Sequence, residues 1–311
     1  MSAISANNPD SDSDSGDDAL LEMLGLPTLS LSTEIDISAS SHSETSCVIS
    51  PSLDPSSLLL EYESKGIIKL PLHVPRKLLN AATLQTTFSA HPLKTYETIN
   101  SQKHLTRCEK FVDLKSSSDD TVPWSSIISS LEEISSAVLK KPQHIFKEKL
   151  NYKPPKGKGF APHLDGPSLA MTGQGEEGSF ATIMLSIDPM NIANGCLEVS
   201  RGNWNSSNKI STVQVDENGN PDREGRPGEI HSEVAEGLEW EYLECEAGEA
   251  YMFSSLLPHK SGTNKSQFQR RAVFITLSDE DGREEYYRKM EEKRRVFKPN
   301  LEEEWLKSVP K

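Results

Sequence analysis

Cysteine is scarce in this chain, aromatic side chains are few, and long apolar runs are missing. The four cysteines, Cys47, Cys108, Cys196 and Cys245, form no C-x-x-C pair. That argues against a thiolate zinc site and offers no disulfide framework. No stretch approaches the roughly 18–20 consecutive apolar residues that span a bilayer. No basic segment followed by an apolar one is visible near the N-terminus, so no secretory signal is expected. The expected setting is soluble, reducing and cytoplasmic. Lys and Arg are absent from residues 1–54, which hold 14 serines and ten acidic residues and so carry most of the chain's formal charge of −14. The remainder has 37 acids against 33 bases. Such a balance gives no electrostatic footprint for nucleic acid or an anionic membrane, and neither is expected as a partner.

The low hydrophobic and aromatic fractions, 35% and 6%, reflect the same segment. Residues 10–18 read DSDSDSGDD and cannot bury enough apolar surface to offset the entropy of ordering. Residues 1–54 are therefore expected to form a disordered acidic, Ser-rich tail. The apolar patch ALLEMLGLPTLSL at 19–31 is transient helix or a docking motif. Residues 55–311 are expected to form one domain, long enough for a sizeable core. Helical spacing is expected over 56–64, 75–88, with Pro75 in the first turn, and 124–140. A short strand is expected at 66–70. From about 145 onward, short alternating runs are separated by Gly, Pro and Asn. Strands are expected at 179–188, at 196–199 after the Asn194-Gly195 turn, and at 270–277. Residues 240–245 and 250–253 flank a hairpin-like break. A helix closes the chain at 282–297. Helices, then many short strands, then a helix predict a mainly β fold with flanking helices, a sandwich or squashed barrel. Residues 204–239 are long and polar and would suit a lid.

The chemistry concentrates in FAPHLDG, residues 160–166. On a strand, His163 and Asp165 would point to one face and could chelate a metal side by side. His259, in LLPHKSGTN, could supply a third ligand. Two imidazoles and one carboxylate leave open the positions that a non-haem Fe(II) oxygenase uses, although zinc tolerates the same donors. A basic residue on the following strand could clamp a dicarboxylate. Arg270 and Arg271 face opposite ways on a strand, and spacing alone does not choose between them.

Three blocks in this order resemble the phytanoyl-CoA dioxygenase family of Fe(II)/2-oxoglutarate oxygenases. They are Lys149-Leu150-Asn151-Tyr152-Lys153-Pro154-Pro155 leading to His163-x-Asp165, then Asn194-Gly195-Cys196-Leu197-Glu198-Val199, then His259-x-Ser261-x-x-Asn264-x-Ser266 ending in Arg270. Residues 147–165 also resemble the small-molecule branch that includes 2-aminoethylphosphonate dioxygenase. The resemblance implies a double-stranded β-helix, a jelly-roll or cupin-like barrel. It implies Fe(II) on His163, Asp165 and His259, and 2-oxoglutarate held through its distal carboxylate by Arg270 with Ser261. Asn151 and Lys149 would lie beside the cosubstrate. O2, succinate and CO2 complete the implied reaction, usually a hydroxylation. Asp165 occupies the position that related halogenases leave without a carboxylate.

Asn203-Trp204 stands where many members have Ser-His. Lys153, Lys156 and Lys158 near the metal motif suggest a small anionic substrate, although a solvated turn would look the same. His231 reads as an exposed loop histidine, Glu176 and Glu177 as solvated, and His42, His73, His91, His104 and His144 have no supporting pattern. Two other readings compete: a catalytically silent member acting as a binding or scaffold protein, and a zinc hydrolase, which would have no use for Arg270. Nothing in the sequence signals an oligomeric state.

Overall fold

The structure, a computed structural model, describes residues 47–49, 54–90, 92–99, 101–112, 123–173, 175–202, 204, 210–214, 222 and 225–296. The chain divides into two units, Met1–Ser41 and His42–Lys311, and every described residue lies in the second. The acidic tail up to residue 46, including its apolar patch, lies outside the described residues. So do His42, His91, Asn203 and several stretches of the expected lid.

The first described residues, 47–49, lie before the boundary expected at 54. A two-residue strand, β1 (Val48–Ile49), pairs antiparallel with β2 (Ile67–His73). Between them lies α1 (Pro55–Lys65), started by Asp54, whose Oδ1 accepts the Ser56 N–H at 3.1 Å, and by a proline in the first turn. It ends at Gly66, held at φ +70° directly against Trp204, where a Cβ would lie 2.6 Å from the indole. Next comes α2 (Arg76–Phe88), then the strands β3 (Leu93–Ile99) and β4 (Gln102–Glu109) and the helix α3 (Pro123–Leu139). Trp124 anchors α3 to α2 by donating its indole N–H to Ala82 O and Thr86 Oγ1 at 3.1 and 2.7 Å. The rest of the chain runs β5 (His144–Lys153), β6 (Phe160–His163), α4 (Gly166–Ala170), β7 (Ala181–Ser186), β8 (Leu197–Val199), α5 (Ser232–Ala235), β9 (Glu241–Leu243), β10 (Glu249–Ser254), β11 (His259–Ser261), β12 (Arg270–Ser278) and α6 (Arg283–Val296).

Two antiparallel sheets result. The larger has the order β1-β2-β10-β7-β12-β5-β4-β3, and the smaller β6-β11-β8-β9. Residues 240–245 and 250–253 do not form the expected hairpin. β9 pairs with β8 in the small sheet, whereas β10 pairs with β2 and β7 in the large one. The chain crosses between layers there, as a jelly roll requires. Side-chain alternation then divides the interior. Leu150 and Tyr152 of β5, Ile183 and Leu185 of β7, and Val273, Ile275 and Leu277 of β12 point to α3 and build the main core with Ile127, Leu131 and Val138. The opposite face looks toward the small sheet. Met184, Phe253 and Ala272 meet Leu197, Val199 and Leu243 there in a second apolar cluster. Beside that cluster the interlayer space opens into a cavity of ≈ 320 Å³.

Candidate active site

His163, Asp165 and His259 converge on the cavity wall, with their ligand atoms all within 4.8 Å of one another. The two histidines are cross-strand partners of β6 and β11, with ring centroids 4.1 Å apart. Asp165 arrives differently from the expectation. β6 stops at His163, and Asp165 has already turned into helical geometry, φ −73° and ψ −35°, as the residue before α4. The pair therefore meets across a turn and not along one strand face. Leu164 between them is buried, and its N–H is taken by Gly228 O.

The donor set is already oriented. His163 Nδ1 lies 2.8 Å from Ala161 O, and His259 Nδ1 lies 2.9 Å from Leu257 O. A carbonyl only accepts, so each Nδ1 carries the proton and each Nε2 turns its lone pair to the cluster. The Asp165 oxygens lie 3.9 Å from His163 Nε2 and 4.0 Å from His259 Nε2, and Thr182 Oγ1 donates to Oδ2 at 3.1 Å. Burial, then the neighbouring His259, push His163 down to about 3, which keeps it neutral. Burial alone would raise Asp165, but His259, Lys147, His163 and Lys149 outweigh it and hold the carboxyl well below its usual range. Two imidazoles and one carboxylate on one side of an open cavity fit a divalent iron.

At the other end of the cavity lies Arg270. It is buried, and one guanidinium NH donates to Gly195 O at 3.0 Å, while its Nε is buried without a hydrogen-bond partner among the described residues. Burial pulls it down to about 10. Its Cα partner across the sheet, Lys153, donates to Ser261 Oγ at 3.0 Å and Gly262 O at 2.7 Å. Burial, then Arg270, bring Lys153 down to about 7. Arg271 points the other way and is satisfied by Asp188 through two contacts at 2.8 and 2.6 Å. Tertiary structure thus makes the choice that spacing left open. Gly195 adopts φ +71° and passes so close to Gly262 O, 2.4 Å from where a Cβ would sit, that the Asn-Gly turn is required for this wall of the cavity.

A model of the family described as phytanoyl-CoA dioxygenase (PhyH) matches residues 78–272. The chain belongs to that family. Among curated relatives, 2-aminoethylphosphonate dioxygenase from uncultured bacterium HF130_AEPn_1 is 36% identical over 161 residues, covering 51% of this chain and 54% of that protein. Methylphosphonate hydroxylase from Gimesia maris is 33% identical over 170 residues, covering 54% and 57%. The chain spans about half the length of these two relatives. A crystal structure of EctD from S. alaskensis with 2-oxoglutarate and 5-hydroxyectoine shares the fold, at TM-score 0.51 and 16% identity, covering 78% of this chain and 87% of that one.

The three blocks of this family member that carried the resemblance all border the cavity. Asn151 and Ser261 line it, and Asn151 Oδ1 accepts from Arg107 Nε at 3.2 Å. Of the three lysines near the metal motif, Lys153 points inward, Lys158 lines the cavity, and Lys156 is exposed in a left-handed turn at φ +64°. Trp204 packs on Gly66 and the second apolar cluster and is not among the cavity-lining residues. His231 departs from the expectation of an exposed histidine. It is buried, 3.0 Å from Ser211 Oγ, in a second pocket outside the triad's cavity. The expected lid is partly tied down, since Ile230 N bonds Pro162 O and Glu229 bridges His163.

Sequence reasoning missed four cationic residues on the cavity wall: Arg107, Lys147, Arg226 and Lys260. Lys147 had a visible signal, because Lys147, Lys149, Asn151 and Lys153 follow the period-2 spacing of one strand face. Arg107 and Arg226 had none, since β4 and the 225–229 turn reach the cavity only through the fold.

Proposed function

We propose that this chain is an Fe(II)- and 2-oxoglutarate-dependent dioxygenase that hydroxylates a small anionic metabolite and releases succinate and CO2. The observation that carries this reading is the pairing of a pre-oriented His163-Asp165-His259 cluster with a buried, under-satisfied Arg270 in one cavity. In this reading His163 Nε2, His259 Nε2 and an Asp165 oxygen hold the iron, and Thr182 keeps the carboxylate aimed. Arg270, with Lys153 and Ser261 beside it, takes the distal carboxylate of 2-oxoglutarate by charge-assisted hydrogen bonds. Asn151 lines the wall between the two. Iron, cosubstrate and O2 would supply the oxidising chemistry, while the protein supplies orientation. A zinc hydrolase would gain nothing from Arg270, and a silent binding protein would not need the oriented cluster. The anionic character of the substrate is supported by the cationic cavity wall and by the two phosphonate-oxidising relatives.

The test is succinate release from 2-oxoglutarate with Fe(II) and O2, across a panel of aminophosphonates and small carboxylates set against acyl-CoAs and terpenoids. Stimulation by the first panel is expected. His163→Ala, Asp165→Ala and His259→Ala should each abolish turnover and Fe(II) retention on equilibrium dialysis while leaving the fold intact. Full activity in any one of them would remove that residue from the site. Turnover confined to the second panel would discard the anionic substrate and leave the oxygenase standing.

A further inference from the structure

The cavity has two cationic ends, and 2-oxoglutarate accounts for one. From Lys153 the same face of β5 continues through Asn151 and Lys149 to Lys147, with unbroken pairing to β12 from Arg270↔Lys153 to Thr276↔Lys147. Lys147 and Lys153 are six strand steps apart, or roughly 20 Å at about 3.4 Å per residue. A five-carbon diacid anchored at Arg270 cannot reach that far. β4 adds Arg107 to the same wall, opposite Asn151, and Thr95 and Thr106 line the cavity beside it.

Lys147 is buried, and Lys149 beside it is mostly so. Burial, opposed by Asp165 and Glu109, pulls Lys147 down, while Lys149 falls to about 7, first because of Lys147 and then because of burial. The charges that act most on Lys149 are Lys147, Arg107, Glu109 and Asp165. On Lys153 the leading charge is instead Arg270, so the two ends are electrostatically separate. Three acids stand near these three cations, but only one is both buried and outside the metal cluster. Glu109 is buried as the Cα partner of Lys149, Glu97 sits exposed at the rim, and Asp165 belongs to the metal cluster. Two buried like charges side by side are costly unless something of opposite sign joins them.

We propose that Lys147, Lys149 and Arg107 form a second anion subsite, which holds the tetrahedral oxyanion, phosphonate or phosphate, of the substrate across the metal cluster from the cosubstrate. This rests on 2-oxoglutarate lying at the Arg270 end, and it moves Lys149 from the cosubstrate, where the family resemblance put it, to the substrate. Two ammonium groups and a guanidinium fork arriving from adjacent strands can donate to three oxygens at once, more than a carboxylate offers. The oxyanion would then anchor one end of a small substrate and leave its carbon chain to extend toward the cluster of His163, Asp165 and His259.

Calorimetric titration of the full chain tests it, with methylphosphonate, inorganic phosphate and acetate as probes, and with 2-oxoglutarate plus Fe(II) in the absence of O2. The expected result is methylphosphonate binding at least tenfold tighter than acetate. Lys147→Met and Arg107→Met should weaken it at least tenfold and change 2-oxoglutarate binding less than twofold, while Arg270→Met should do the reverse. Phosphate matching methylphosphonate would show that the oxyanion alone is read. Tighter methylphosphonate would show that the carbon side is read too, and both agree with the proposal. Thermal unfolding controls for folding. Lys147→Met should not lower Tm, because it relieves like-charge repulsion, and Lys147→Gln provides a second variant if it does. Methylphosphonate should raise the Tm of the wild type and not of the variants. No methylphosphonate binding, binding indifferent to Lys147 and Arg107, or acetate binding equally well would each overturn the subsite. Loss of 2-oxoglutarate binding alone would instead overturn the proposed activity and leave the subsite standing.

Discussion

Arg270 and Arg271 show how one residue step separates a cavity-facing side chain from an ion-paired one. Both are buried, yet Arg271 spends its donors on Asp188, whereas Arg270 faces the cavity and its Nε has no hydrogen-bond partner among the described residues. The two should fail differently. Arg270→Ala is expected to weaken 2-oxoglutarate binding by roughly 2–5 kcal/mol, the range for losing one partner of a buried charge pair, with little change in unfolding free energy. Arg271→Ala should cost about 2–3 kcal/mol of stability, somewhat under the figure for a fully buried pair because Asp188 is partly exposed, with cosubstrate affinity nearly unchanged. Urea unfolding and calorimetry on both variants check this. Equal effects in both assays would mean that the division of roles is wrong.

At the scale of the element, β5 does most of the positioning. Its odd-numbered residues from Lys147 to Lys153 line the cavity, and Leu150 and Tyr152 lock it to the helical layer. Glu148, fully buried on that second face, holds the closing helix. It accepts from Arg283 at 2.7 Å and Tyr287 at 3.0 Å, and from the Phe111 N–H at 2.9 Å. Glu148→Ala removes the nearest carboxylate from a buried arginine and should cost about 3–5 kcal/mol, read as a lower urea midpoint. Faster hydrogen exchange should appear in α6 and around residue 111. Unchanged exchange in α6 would show that apolar packing of Tyr286 and Tyr287 holds the helix without the charge pair. β5 was hard to see in advance for the same reason. A central strand is expected to be apolar, and HIFKEKLNYK is rich in charge because one face lines a polar cavity and the other buries an ion pair. The β3–β4 hairpin was missed too, since it lacks the alternating apolar face that marks a strand.

At the scale of the whole molecule, the described residues begin at Cys47, before the boundary expected at 54. On the N-terminal side of that position, β1 pairs with β2, and Cys47 packs against the main core. Removing residues 1–46 should leave kcat and Tm unchanged, whereas removing residues 1–50 uncovers the edge of β2 and should lower Tm measurably. Steady-state kinetics and thermal unfolding of the two truncations check this. A fall in kcat with the shorter deletion would place the tail at the active site. Among the described residues, no helix is long and apolar enough to cross a membrane.

The sequence by itself determined which donors this chain offers and in what order: HLD, NGCL, a distal histidine and an arginine after it, together with the helices α1 to α3 and α6, whose periodicity and caps are local properties. The jelly-roll class was legible through those motifs. Only the tertiary structure decided how they meet. It brought Asp165 to His163 by a turn, because pairing of β6 with β11 ends at His163. It chose Arg270 over Arg271, because pairing with β5 and β7 sets which face of β12 looks inward. It also brought Arg107, from a hairpin with no motif, to the same wall as Lys147. Those outcomes depend on strand register between segments far apart in sequence, and register is a property of the pairing and not of either strand alone.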